Sequence, residues 1–231
     1  MASRLVLVPG IITLAITLLR LTGELRHWPA KWFSPETASS GSGIIPWGVS
    51  WIIGITWLAA IFGTYFAIRL VRTGQGPRSL VKAILFPALG ILIFYVYYPI
   101  TEFICMTFNV RFPHYLIFIW LFWALAGVLQ YFGWPQLFKV LLMYSYAARI
   151  PVAIVMLCAM RGHWGTHYDY VGMQIPLNGL SRYLWMAFFP QLVGWIGFTI
   201  TLGAVAGILL VSVARLRRVP IRKGIDRIDT A

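Results

Sequence analysis

Six long apolar segments divide this chain, and their length limits what it can fold into. They cover residues 5–22, 47–70, 81–108, 115–132, 137–160 and 183–214. A helix needs roughly 20 apolar residues, rising about 1.5 Å each, to cross about 30 Å of hydrocarbon. Inside lipid every backbone N–H and C=O must be satisfied within the protein, which makes such segments helices. The expectation is an all-α, polytopic membrane bundle of six spans over residues 1–214, followed by a basic tail, 215–231.

Composition agrees. Charged residues are 11% of the chain and mean hydropathy is +0.79, whereas soluble domains carry roughly 25% charged residues. A soluble fold of this size has too little interior for so much apolar surface. Aromatics reach 16%, with 11 Trp, which suits belts at the two membrane interfaces. The net charge of +13 would suggest nucleic acid in a soluble protein. Here it fits basic ends of spans against anionic lipid heads, so the expected partners are the bilayer and other membrane subunits, with no nucleic acid.

The Lys and Arg positions set an orientation. With the tail in the cytoplasm, Arg4, Arg69, Arg72, Arg78, Lys82, Lys139, Arg215, Arg217, Arg218, Arg222, Lys223 and Arg227 fall inside. Arg20, Arg26, Lys31, Arg111, Arg161 and Arg182 fall outside, and Arg149 lies within the fifth span. Both termini are then cytoplasmic, and a bacterial inner membrane is the expected location. Residues 23–43 read as an outer loop.

Arg149 is the most telling polar residue. A buried arginine costs about 2.5 to 3.5 kcal/mol on insertion scales, so it faces water or a partner. One reading makes it a contact for a solute passing between helices, in a pathway lined by Arg149, Glu102, Gln130, Gln191, Tyr144 and Tyr146. The other makes it structural, bonded to carbonyls freed by Pro151, which cannot donate to the helix ladder. Glu102, near the outer rim, either relays protons or, as the plainer account, pairs with Arg111 or another outer arginine. The first reading is a permease-like or channel-like protein.

A second reading rests on the histidines. His27, His114, His163 and His167 all fall in outer loops, and imidazole ligates metals and haem iron. His163 and His167 are four apart, which on a helix places them on one face. The plainer account is that long outer loops collect polar residues. The run Trp164-Gly165-Thr166, followed by Tyr168, Asp169 and Tyr170, resembles the tryptophan-rich haem-presenting loop of cytochrome c maturation proteins. The resemblance covers about six residues; the Asp comes sooner and the loop joins a different pair of spans. It implies a membrane anchor or assembly subunit holding haem or metal. A purely structural subunit is a third reading.

Pro135-Gln136-Leu137 and Pro190-Gln191-Leu192 resemble the paired motifs of PQ-loop carriers, although the first lies in a short turn rather than inside a helix. Gly203 and Gly207, and Ala59, Gly63 and Ala67, form small-residue faces suited to helix packing. Cys105 and Cys158 are expected either to pair or to lie buried as thiols. No catalytic residue is expected: phosphate-binding glycine loop, zinc-protease motif and nucleophile elbow are all lacking.

Overall fold

A computed structural model describes residues 2–33, 54–169 and 177–216. Among these residues the chain is helical and has no strand. The helices are α1 (Ala2–Leu25), α2 (Ala30–Phe33), α3 (Leu58–Arg72), α4 (Leu80–Phe108), α5 (Tyr115–Gly133), α6 (Pro135–Gly162), α7 (Gly179–Tyr183) and α8 (Trp195–Leu216). Two π-helical turns, Leu184–Phe188 and Pro190–Gly194, link α7 to α8. Among the described residues five helical stretches are long and apolar enough to cross a membrane: α1, α4, α5, α6 and the continuous run from α7 to α8. This is a multi-pass integral membrane protein. Of the expected second span, residues 47–53 lie outside the described residues, 54–57 form a bend and a turn, and α3 begins only at Leu58. The expected loop at 23–43 is helical at its start, since α1 continues to Leu25, and α2 adds one turn.

Helix directions follow from the contacts. Gly90 of α4 faces Gln130 of α5 and Thr201 of α8, whereas Gly133 faces Lys82 and Ala83. Thus α4 runs antiparallel to α5. Gly194 and Gly197 of the α8 segment meet Trp123 of α5, and Gly197 also abuts Gly127. Gly203 and Gly207 pack on α3 at Ala59, Gly63 and Ala67. α3, α5 and α8 therefore run one way, and α1, α4 and α6 the other. One end of the bundle then gathers Arg4, Arg69, Arg72, Arg78, Lys82, Lys139 and Arg215, while Glu24, Glu102 and Asp169 sit at the opposite end.

The two small-residue faces meet each other. A Cβ on Gly63 would strike the Gly203 backbone, and one on Gly197 would strike the Trp123 carbonyl. Lipid tails are as apolar as leucine, so association rests on close packing, which small residues permit. The core thus forms around α3, α6 and α8 with Phe66, Leu137, Leu141, Tyr144 and Ile200. α4 behaves differently: Ala83, Pro87 and Gly90 face inward, while Val81, Tyr95, Phe103 and Met106 are exposed. An exposed apolar surface of this extent requires lipid or protein to cover it.

Candidate functional site

The site lies between α1, α6 and the start of α8, in the half of the bundle away from its basic end. Three local devices build it. The first is on α1, where Arg20 and Glu24 are one helical turn apart and share a face. Arg20 Nε donates to Glu24 Oε1 at 3.0 Å, and the Glu24 side chain is 1% exposed.

The second device is the turn after α6. Gly165 has φ +69°, a conformation that costs a glycine little. Asp169 accepts from the amides of Gly165 (3.0 Å) and Thr166 (2.7 Å) and from the Thr166 hydroxyl (2.8 Å). The locked turn delivers His167 to α1. Its backbone N–H donates to Glu24 Oε2 at 2.9 Å, and Nδ1 lies 2.6 Å from Oε1. Burial holds the His167 imidazole below its usual pKa; the bond to Glu24 raises it, and the Arg20 charge lowers it further. The ring is therefore neutral, with Nδ1–H donating to the carboxylate. Next to it, the Tyr168 hydroxyl donates to the Thr17 carbonyl at 3.2 Å, and burial pushes the phenol pKa up.

The third device is the irregular lead into α8. A π-helical turn has an extra residue per turn and is frequent at functional sites. Pro190–Gly194 forms such a turn and carries Gln191. Gln191 Oε1 accepts from Arg149 Nη1 at 3.3 Å. The Arg149 guanidinium carbon sits 4.7 Å from the centre of the Trp195 ring, within cation–π range. Arg149 is 5% exposed, and its Nε has no hydrogen-bond partner; nor has Nη2 of Arg20.

Arg149, Gln191 and Trp195 line a cavity of about 360 Å³ together with Arg20, Thr17 and His167. Toward the basic end on the same helix as Arg149, Tyr144 is buried in the main core. The Thr13 hydroxyl donates to the Pro9 carbonyl at 2.8 Å, so its oxygen accepts from the Tyr144 hydroxyl at 3.0 Å. The Tyr144 ring meets Phe62 and Phe66 edge-on, with centroids 5.3 and 5.7 Å away.

Of the six residues expected along a pathway, the structure brings Arg149 and Gln191 together, with Tyr144 below them. The other three lie elsewhere. Gln130 donates to the Ala126 and Phe86 carbonyls between α5 and α4. Tyr146 is 42% exposed on the outer surface of α6. Glu102 is exposed on α4, and the expected pair with Arg111 does not form: Arg111 Nε reaches Asn109 Oδ1 instead. No carbonyl freed by Pro151 receives Arg149; its neighbours are Gln191 and Trp195.

The four histidines do not converge. α6 ends at Gly162 and His163 takes a left-handed conformation, so His163 and His167 share no helix face. His163 is exposed at a separate opening beside Arg161 and Arg182. His114 packs edge-on to Trp185, and His27 sits exposed just beyond α1. Among the described residues no three His, Cys, Asp or Glu side chains are grouped to hold a metal ion. Cys105 and Cys158 are both free thiols, partly or fully exposed rather than paired or buried.

Arg20, Glu24, Thr17 and Trp195 were not among the expected site residues. The spacing of Arg20 and Glu24, four apart at the end of an apolar run, was the available signal. Comparison with known proteins adds no name: no family model fits this chain, and neither a curated protein nor a solved structure matches it.

Proposed function

We propose that this protein passes a small polar solute across its membrane, in the manner of a permease, through the cavity between α1, α6 and α8. The observation that carries the reading is Arg149: an arginine buried mid-helix, held by a neutral amide and an aromatic ring, opening onto a cavity. Ionisable groups at this depth border solute pathways by default, because a purely structural role seldom offsets their insertion cost.

The surrounding backbone favours movement. Pro151 removes a ladder bond two residues after Arg149, and the π-helical turns leave irregular backbone beside the cavity. Interrupted helices of this kind flank the solute sites of many carriers. In the proposed cycle, the cavity loads from the end bearing His167. Parting of Tyr144 from Phe62 and Phe66 then exposes it to the basic end. By the positive-inside rule the basic end faces the cytoplasm, and the membrane is a bacterial inner membrane.

The test is solute-driven light scattering of proteoliposomes against a panel of sugars, amino acids, amines and carboxylates. One class should relax faster than in protein-free vesicles, and Arg149→Ala should remove the effect while inserting normally. If no class relaxes faster, or Arg149→Ala behaves as wild type, passage by this route is wrong.

A further inference from the structure

We infer that the ligand of this cavity is a small monocarboxylate, held by the guanidinium groups of Arg149 and Arg20. The inference rests on the cavity being a solute site, and does not require that the solute crosses.

Charge comes first. Arg20 and Arg149 are both guanidinium ions, which stay protonated in proteins. Glu24 neutralises Arg20 by direct contact, and His167 is neutral. No acidic side chain among the described residues reaches Arg149; Gln191 and Trp195 satisfy it with a dipole and a ring face. The cavity wall therefore carries one positive charge without a counterion. A monoanion cancels it, whereas a dianion would leave the buried site negative, at a steep desolvation cost.

Hydrogen bonding comes second. A guanidinium binds a carboxylate through two parallel N–H bonds. In Arg149, Nη1 is spent on Gln191, and Nε is buried with no acceptor. In Arg20, Nε is spent on Glu24, and Nη2 is buried with no acceptor. Both arginines line one cavity, and each carries a buried N–H that nothing in the protein receives. Buried donors of this kind are rare in native proteins and call for an acceptor. A carboxylate brings two acceptor oxygens for these guanidinium groups and the one negative charge that the wall lacks.

The rest of the wall selects the tail. Val152, Met156 and Trp195 are apolar and line the same cavity. About 360 Å³ accommodates a short aliphatic or single-ring tail beside the carboxylate. Sugars and polyamines would set hydroxyls or charges against this surface.

The experiment uses the purified full chain in mild detergent and chloride-free buffer, following thermal unfolding at rising concentrations of butyrate, butyramide, butylamine, phosphate and chloride. A ligand that binds only the folded state raises the midpoint in proportion to its occupancy. Butyrate should raise it saturably, and butyramide, the same shape without charge, should not. Arg149→Gln should weaken butyrate binding about tenfold or more, and Arg149→Lys should weaken it less. Equal shifts with butyramide, or larger shifts with phosphate or chloride, would overturn the inference, and the wild-type series alone decides this if the variants do not fold. Saturable butyrate binding without vesicle flux would defeat passage and leave this site standing. Flux of an uncharged solute without butyrate binding would do the reverse.

Discussion

Glu24 and His167 are 143 positions apart, and both oxygens of the Glu24 carboxylate are taken by His167, one by the backbone N–H and one by the ring. The contact ties the turn after α6 to the last turn of α1. It also holds Arg20, which shares one of those oxygens, at the rim of the cavity. The cavity wall thus depends on one buried carboxylate.

Glu24→Ala leaves a buried arginine without its counterion and two His167 donors without an acceptor. Breaking one side of a buried pair costs about 3–5 kcal/mol. Thermal unfolding in detergent should show a large fall in midpoint. The double variant Arg20→Met with Glu24→Leu should recover part of it, because no lone charge then remains.

The His167 imidazole is held below its ordinary pKa of 6.5. The unfolded chain therefore binds a proton more readily than the folded one as pH falls through that value. Stability from this group is full above about pH 6.5 and lost progressively below it. Unfolding midpoints recorded from pH 8 to pH 5 should fall toward the acid end, and His167→Asn, which keeps a donor for Glu24 but does not titrate, should flatten the lower part of the curve.

Gly197→Ala and Gly10→Ala should differ in sign or size although both add one methyl to a membrane helix. At Gly197 the methyl meets the Trp123 carbonyl, which is backbone and cannot turn aside; overpacking of this kind costs about 1–3 kcal/mol. At Gly10 it meets the Ala147 methyl at 3.6 Å, an ordinary contact. Midpoints of unfolding should fall for the first variant and stay level or rise for the second.

Glu102→Gln and Tyr146→Phe change polar residues that stand on the outer surface of the bundle, away from the cavity. Flux and ligand-induced stabilisation should equal those of the wild type in both. Gln191→Ala should reduce both readouts, since it frees the Arg149 guanidinium to turn.

The apolar runs at 81–108, 115–132 and 137–160 determined their helices by themselves. Helix ends at Phe108, Gly133 and Gly162 fall within two residues of the expected span ends, 108, 132 and 160. The reason is local: a segment that must satisfy its own backbone in lipid folds as a helix wherever its apolar run lies. Arg149 was legible for the same kind of reason, because a charge inside an apolar run is conspicuous along the chain.

What the sequence did not determine is which polar residues share a wall. Arg20 and Glu24 sit where a span gives way to a loop, and charge at that position is ordinary. Only the turn locked by Asp169 brings His167 to them, and only the π-helical turn at Pro190 brings Gln191 onto Arg149. Helix rotation about its own axis is what separates Tyr144, buried against Phe62, from Tyr146, two residues on and exposed. That rotation is set by the close approach of α3 to α8 at Gly63 and Gly203 and by the packing of Leu141 against Gly203. Such contacts between distant segments leave no periodic trace in an almost uniformly apolar chain, so the tertiary structure alone decided the site.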